Sequence, residues 1–349
     1  MLNSKTTFVV GAGASNEAGL PTGRELTATI AGMIDIKFDH DLTQISGDHV
    51  IYEALREHVR GEDGGDGDIY DYQQAGWFIR DAMPQASSID SFIDTHQDNE
   101  KVKLCGKLAI VRSILAEERN SHLFFDDRNP DAKLNFESIE ETWYNTFFQM
   151  LVVGCTKDNL RNLFNNVSFI IFNYDRCVEH FLFNAVQNFY GIEPSEAATL
   201  MQALPIFHPY GFVGELPWQA DTNSTPFGSA SRAGALLSHA SKIKTYSERI
   251  EDEGAITTLH RLLIDAETIV FLGFAFHDEN MKLMTSGAPN RLRRVFATAR
   301  GISNSDCEVL REQIRDVFGK NEDRIPIELR QGLSCYEIFD EYSRTLSQS

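Results

Sequence analysis

The fold is decided near the start of the chain by residues 6–15, which read TTFVVGAGAS. β-Branched and aromatic residues run without a break up to Gly11, a pattern typical of a buried strand that feeds a turn. Glycines at 11 and 13 let the backbone of such a turn approach a pyrophosphate, and the helix that follows offers unpaired N–H groups. Asn16 stands where the GxGxxG fingerprint requires its third glycine, so the turn by itself equally fits an α/β protein without a nucleotide.

Strand, turn and helix follow one another again at several later places. Residues 167–172 form a continuous apolar run, and after the polar turn Asn173-Tyr174-Asp175 a helical pattern covers 177–189. Similar apolar runs occur at 203–211, 268–274 and 293–299. Apolar strands that alternate with helices indicate a parallel sheet covered on both faces. We therefore predict an α/β fold in which residues 1–36 and 158–349 form a Rossmann-like parallel sheet.

Residues 37–157 lack this alternation and are predicted to form a large helical insertion subdomain. Helical patterns cover 50–59, 100–118 and 139–153. The acidic segment 61–68, GEDGGDGD, lacks the glutamate-terminated ligand spacing of a calcium loop and is predicted to be a solvated loop. Residues 213–231, rich in Gly, Pro, Ser and Thr, are predicted to form a long loop that borders the site.

Net charge, cysteine usage and hydropathy argue against a nucleic-acid-binding protein, a zinc protein and a membrane protein. The formal net charge of −19 argues against direct binding of nucleic acid, because proteins that bind the phosphate backbone need clustered Lys and Arg. The five cysteines include no CxxC pair, which indicates a reducing cytoplasm and no zinc site. No segment approaches the roughly 20 apolar residues that cross a bilayer, so we expect a cytoplasmic protein without a membrane partner.

Four ordered segments resemble the sirtuin family. Residues 11–25, GAGASNEAGLPTGRE, resemble its opening, in which GAG-x-S is followed by Gly-Ile/Leu-Pro. FNYD at 172–175 is similar to the family's Asn-x-Asp turn, HPYG at 208–211 to its catalytic His-Gly segment, and FLGFAFHD at 271–278 to its later glycine turn. The segment SIDSFID at 88–94 is similar to one found in bacterial sirtuin-like proteins; Asp90 within it is either a helix cap or a pocket residue.

The resemblance implies a role for individual residues. Gly11, Ala12, Gly13 and Ser15 would hold the pyrophosphate of NAD⁺, Asn173 and Asp175 would line the nicotinamide and its ribose, Gly273 and Phe274 would approach the adenosine ribose, and His208 would be the general base. The chain departs from the family in two places. Ala275 stands where a serine is common, and Tyr210 directly precedes Gly211, so that His208 lies two positions earlier than in the simple His-Gly pattern.

Elementary chemistry supports these assignments separately. Breaking the nicotinamide–ribose bond builds positive charge on the sugar, so the site needs oriented polar groups and a base but no metal. Asn173 follows an apolar strand, where parallel sheets place their ligands, although Asn-x-Asp is also a common turn. If the chain stays extended past 207, His208 and Tyr210 face the same side. An ordinary tyrosine is protonated at neutral pH, so we expect His208 to accept the proton, unless it is a hydrogen-bonded histidine at a strand end, and Tyr210 to contact the ribose.

Sirtuins that deacylate proteins carry a zinc module held by paired cysteines, and this chain lacks those pairs. It therefore resembles bacterial sirtuin-like proteins with a helical insertion more than it resembles the deacylases. That resemblance implies an NAD⁺ glycohydrolase, releasing nicotinamide and ADP-ribose as the effector of an anti-phage system. Alternatives are an NAD-dependent protein deacylase or ADP-ribosyltransferase, and a non-catalytic sensor of NAD⁺ or ADP-ribose. An unregulated NAD⁺ hydrolase would kill its host, so we expect a homo-oligomer or a regulatory partner such as a HerA-like ATPase or an Argonaute-like protein.

Overall fold

The structure, a computed structural model, describes residues 2–63, 68–129, 131–220, 222–318 and 325–347. Its strands are β1 (Thr6–Val10), β2 (Lys37–Phe38), β3 (Gln44–Ser46), β4 (Val167–Ile171), β5 (Ile206–Phe207), β6 (Thr268–Leu272), β7 (Arg294–Thr298) and β8 (Ile327–Arg330). Of the predicted acidic loop 61–68, residues 64–67 lie outside the described residues.

Helices occur at each of the predicted helical patterns, with somewhat different ends, and at further places in the chain. They are α1 (Ala12–Ser15), α2 (Gly23–Ile34), α3 (His49–Asp63), α4 (Tyr70–Ala82), α5 (Ile89–Thr95), α6 (Glu100–Asn120), α7 (Trp143–Val152), α8 (Cys177–Tyr190), α9 (Pro194–Gln202), α10 (Ala233–Ala240), α11 (Tyr246–Ile250), α12 (Glu253–Ile264), α13 (Asp278–Met284), α14 (Asn304–Phe318) and α15 (Cys335–Ser347). The helix predicted over 139–153 begins later than expected, because residues 137–139 form a separate 3₁₀ turn.

Six of the strands form one sheet in the order β5-β4-β1-β6-β7-β8, and every neighbouring pair runs parallel. Two strands thus lie on one side of β1 and three on the other, which is the strand order of the Rossmann fold. Both β1 and β6 are buried along their whole length, as the continuous apolar runs indicate for strands covered on both faces. The predicted α/β fold with a Rossmann-like parallel sheet is confirmed.

Side chains of β1 alternate between two cores. Phe8 belongs to the core on one face of the sheet, where its ring lies 5.0 Å from that of Phe147 on α7 and 5.8 Å from that of Phe339 on α15. Val9 points to the opposite face, into a core that α12, α13 and α14 cover. Helix α7, although it lies within residues 37–157, therefore packs on the sheet.

A third core joins helices that are far apart in the chain. Apolar side chains of α2, α3, α4, α5, α6 and α10 form it, and we call this group of helices the helical layer. Tyr174, from the turn after β4, also packs into this core and so ties the layer to the sheet. The division into domains at residues 37 and 157 stays a prediction. In the packing, α3 to α6 belong to the helical layer together with α2 and α10, which lie outside residues 37–157. None of the helices among the described residues combines the length and apolarity needed to cross a bilayer.

Candidate functional site

A cavity of about 790 Å³ opens where the strands of the sheet end, between the sheet and the helical layer. Its floor includes the segments that follow β1, β4, β6 and β7, and its wall includes residues of α2, α5 and α6. Because the strands that follow β1 in the chain lie on one side of it and β6 begins the other side, the chain changes direction between β1 and β6. Open parallel sheets bind their ligands at such switch points, beyond the carboxyl ends of the strands.

The predicted site residues, His208 excepted, line this cavity: Gly11, Ala12, Gly13, Ser15, Asn173, Asp175, Tyr210, Gly273 and Phe274. A smaller cavity of about 570 Å³ lies at the opposite ends of the strands. Arg293 there pairs with Glu267 at 3.4 Å and Arg294 donates to the hydroxyl of Thr268 at 3.0 Å, so its cations already have protein partners.

The glycine turns after β1 and β6 are in direct backbone contact. The N–H of Gly13 donates to the carbonyl of Gly273 at 3.0 Å, and Gly273 has a φ of +53°. A Cβ on Gly13 would lie 2.9 Å from the Cα of Gly273, and one on Gly273 would lie 2.0 Å from the nitrogen of Ala14. Glycine is thus required because the two turns touch each other, in addition to any approach of a ligand. The helix after the first turn, α1, is a single turn.

Hydrogen bonds between side chains connect the first turn to Asn173. The amide Nδ2 of Asn173 donates to Oγ of Ser15 at 2.9 Å, and that hydroxyl donates to Oδ2 of Asp175 at 2.8 Å. The other oxygen of Asp175 accepts from the backbone N–H of Cys177 at 3.1 Å. Asn173 is only 9% exposed, so this chain of hydrogen bonds fixes a polar amide at the cavity with little access to bulk water.

His208 contacts Asn173 but does not line the cavity. Its Nδ1 lies 3.0 Å from the backbone carbonyl oxygen of Asn173, and its Nε2 lies 2.7 Å from Oε1 of Glu179 on α8. The expectation that His208 and Tyr210 face the same side is wrong, because the chain turns here: the N–H of Gly211, with a φ of +79°, donates to the carbonyl of His208. Tyr210 does reach the cavity and donates to Oδ1 of Asn280 at 2.6 Å.

The surroundings of His208 favour its protonated form. Burial disfavours a charged ring, but the charge and hydrogen bond of the Glu179 carboxylate, together with the carbonyl of Asn173, raise the pKa of His208 above its ordinary value. A carbonyl and a carboxylate both accept, so the imidazolium form of the ring, in which both nitrogens donate, satisfies both contacts. In that form His208 has no lone pair with which to accept a proton.

Asp90 is a pocket residue rather than a helix cap. The cap of α5 is Ser88, whose Oγ accepts from the N–H of Ser91 at 3.1 Å, while Asp90 lines the cavity. The hydroxyl of Tyr174 donates to Oδ1 of Asp90. Burial raises the pKa of the Asp90 carboxyl, and this hydrogen bond opposes part of the increase.

Some cavity residues carry no signal in the sequence. Glu17 accepts from the N–H of Trp143 at 2.8 Å and from the N–H of Tyr336 at 2.9 Å, and thereby anchors the segment after the first turn to α7 and α15. Lys244 and Arg300 also line the cavity. Glu17 meets its partners across 126 and 319 residues of chain, so no local spacing could have indicated the contact.

The loop predicted over 213–231 is irregular, but its described residues do not line the cavity. Arg176, fully buried, pairs with Glu118 of α6 and donates to the carbonyl of Gly214 at 3.0 Å and to that of Thr225. The guanidinium thus holds the loop against α6 and α8. The loop therefore does not line the cavity in its described part, but it contacts a cavity residue, because the N–H of Val213 donates to the carbonyl of Tyr174 at 3.2 Å.

No family model matches the chain, and no curated protein matches it. Within the described ranges, no three His, Cys, Asp or Glu side chains are grouped so that they could hold a metal ion. All five cysteines are buried and free. The similarity to sirtuins therefore rests on the four segments quoted above.

Proposed function

We propose that the chain hydrolyses NAD⁺ at the nicotinamide–ribose bond, with the dinucleotide bound in the cavity at the switch point of the sheet. The observation that carries this proposal is the contact between the glycine turns after β1 and β6, with Asn173 hydrogen-bonded to Ser15 of the first turn. Backbone without side chains suits a pyrophosphate, and an amide beside it suits the nicotinamide ribose. The volume of about 790 Å³ lies within the range of about 300–1,000 Å³ that is usual for ligand pockets.

Hydrolysis needs a stabilised positive charge on the ribose and a positioned water. As the C1′–N bond breaks, its electron pair passes to the pyridinium nitrogen, and nicotinamide leaves neutral. Asn173 and Asp175 would orient the ribose, and Tyr210 would pack beside it. His208, as an imidazolium bonded to the carbonyl of Asn173, acts through that residue, so we assign it a positioning role.

Purified full-length protein incubated with NAD⁺, followed by chromatography for nicotinamide and ADP-ribose, tests the proposal. Asn173→Ala should lower turnover by about 10²-fold or more, as does removal of other preorganised amides at reacting centres. Asn184→Ala is the matched control, because its side chain donates to the carbonyl of His180 within α8 and does not line the cavity among the described residues. Turnover unaffected by Asn173→Ala, in a protein that still unfolds cooperatively, would refute the assignment.

A second candidate is a sensor that binds NAD⁺ or ADP-ribose without cleaving it. The observation that favours it is the sequestration of His208, since the predicted base does not line the cavity. Calorimetry distinguishes the two candidates: a sensor binds NAD⁺ and releases no nicotinamide, whereas a hydrolase does both.

Regulation belongs to the same proposal. A hydrolase that acts without control would exhaust the NAD⁺ of its own cell, so we infer that an oligomer or a partner, such as a HerA-like ATPase or an Argonaute-like protein, restrains it in a defence system. Co-expression with the genes that neighbour it, with cellular NAD⁺ measured during phage infection, should show loss of NAD⁺ that Asn173→Ala prevents. Steady NAD⁺ during infection would contradict a defence role.

A further inference from the structure

Asp90 reaches the cavity from the helical layer, not from the sheet. It is the second residue of α5, a helix that Ile89 and Ile93 anchor in the core of that layer. Ser88 caps the helix, so Asp90 is not its cap. The packed helix thus holds a carboxylate at the cavity.

Three other carboxylates that line the cavity are already bonded to fixed protein donors. Glu17 accepts from two backbone N–H groups, Asp175 accepts from Ser15 and from Cys177, and Asp94 accepts from the N–H and the hydroxyl of Ser247. For Asp90, the side-chain donor among the described residues is a single hydroxyl, that of Tyr174. Glu279 also lines the cavity, but its side chain is exposed to solvent. Among the more shielded carboxylates of the cavity, Asp90 therefore retains the most capacity to accept a proton.

Tyr174 also places Asp90 beside the proposed reacting centre. Tyr174 directly follows Asn173, and its backbone carbonyl accepts from the N–H of Val213 at 3.2 Å, which holds the turn in place. The titratable groups that face Asp90 lie on three segments that follow strands of the sheet: Tyr174 after β4, Tyr210 after β5 and His277 after β6. Asp94 lies one turn further along the same helix.

We propose that Asp90 is the general base of the hydrolysis, a step that rests on the proposed function. While the C1′–N bond breaks and its electrons pass to nicotinamide, the oxygen of water bonds to C1′ and the carboxylate of Asp90 takes a proton from that water. The proton then passes to solvent, and the products are nicotinamide, ADP-ribose and H⁺. The ionised carboxylate also opposes the positive charge that builds on the ribose.

Asp90→Asn removes the base and keeps the shape of the side chain. We expect kcat to fall by about 10²–10⁴-fold, the usual contribution of a general base, with KM changed by only a few-fold. Asp98→Asn is the matched control, since it makes the same change of charge at an exposed position just beyond α5. Asp90→Asn with kcat close to that of Asp98→Asn would overturn the proposal.

Tyr174→Phe separates catalysis from support of the turn. The hydroxyl of Tyr174 lowers the pKa of Asp90, so its removal should move the acid limb of the kcat profile to higher pH, and Asp90→Asn should eliminate that limb. If Asp90 only held Tyr174, both variants would lose the same activity at every pH, and Asp90 would not be the base. Should Asp90→Asn fail to fold, the limb in wild type and its shift in Tyr174→Phe still decide the question.

Failure of the two proposals can be distinguished. A wild-type protein that releases nicotinamide, an inactive Asn173→Ala and an active Asp90→Asn would refute the role of Asp90 alone. A wild-type protein that binds NAD⁺ in the calorimeter but releases no nicotinamide, with or without its genomic neighbours, would refute both.

Discussion

The turns that meet at the cavity are held in place by different kinds of contact. The glycine turn after β1 packs backbone against backbone on the turn after β6, with Gly13 donating to Gly273. The turn after β4 is held by side chains instead, through Ser15, Asp175 and His208. Backbone contact leaves no room for even a methyl group, whereas a network of side-chain hydrogen bonds can lose one member and keep the others. Substitutions of the glycines in the turns after β1 and β6 should therefore abolish function, and loss of one side chain from the network around the turn after β4 should reduce it by degrees.

Gly273→Ala should have the largest effect. The new Cβ would lie 2.0 Å from the nitrogen of Ala14, and the residue has a φ of +53°, so both steric overlap and backbone strain oppose it. Gly287→Ala is the control: its φ is +64°, but nothing lies within 4 Å of the new Cβ. We expect the control to lower the free energy of unfolding by about 1 kcal/mol, and Gly273→Ala by about 3 kcal/mol or more, with loss of NAD⁺ binding.

Urea denaturation measures the two free energies of unfolding, and calorimetry at a temperature where both variants are folded measures affinity. Equal destabilisation by the two variants would show that the turns can separate, and the contrast between backbone and side-chain turns would not hold.

Ser15→Ala tests the side-chain network that holds the turn after β4. Ser15 accepts from the amide of Asn173 and donates to Asp175, so its removal leaves a buried amide without its partner at a cost of about 1–3 kcal/mol. If that cost falls on the transition state, kcat should drop by about 10- to 100-fold. Ser113→Ala removes another buried hydroxyl, in α6, and should leave kcat within about twofold of wild type. A drop as complete as that of Gly273→Ala would contradict a graded network.

Local patterns predicted the first turn and most of the sheet. Strand, glycines and helix follow one another within residues 6–15, and both faces of the central strands are buried, so continuous apolar runs reveal them. Strand β8 (Ile327–Arg330) was not predicted, because it is a partly exposed edge strand that contains Glu328 and Arg330. Its short run does not stand out from a loop.

The positions of the His208 and Asp90 side chains could not be predicted, because they depend on contacts with residues distant in sequence. The ring of His208 does not line the cavity because it is hydrogen-bonded to Glu179 and because the chain turns at Gly211. Neither contact follows from the spacing of histidine and glycine in the sequence. The sequence is compatible with either a cap or a pocket role for Asp90; in the structure Ser88 caps the helix, and Tyr174 contacts Asp90 across 84 residues of chain. Local sequence thus predicts the backbone part of the site better than the part that depends on side-chain partners.

His208→Gln should have the smallest effect on turnover and a stability effect that depends on pH. Because His208 is assigned a positioning role, we expect this substitution to lower kcat by about tenfold or less. Loss of a general base would lower kcat by about 10²–10⁴-fold. Glu179→Gln provides the matched variant, since it keeps the ring and removes the charge that raises its pKa. A loss of 10²-fold or more in His208→Gln alone would return the histidine to the reaction itself.

The sign of the pH effect follows from the direction of the pKa shift. Folded His208 has a pKa above its ordinary value of about 6.5, so the folded chain binds this proton more tightly than the unfolded chain. The stabilisation is therefore complete below about pH 6.5 and is lost as pH rises through the raised folded pKa. Unfolding in urea at pH 6 and pH 9 should show His208→Gln less stable than wild type by about 1–3 kcal/mol at the lower pH and by less at the higher. His180, whose pKa burial lowers to about 3, is present in both proteins, so its acid-side effect cancels in the comparison. A difference that grows with pH would mean that the ring is neutral and accepts at one nitrogen, which would restore it as a candidate base.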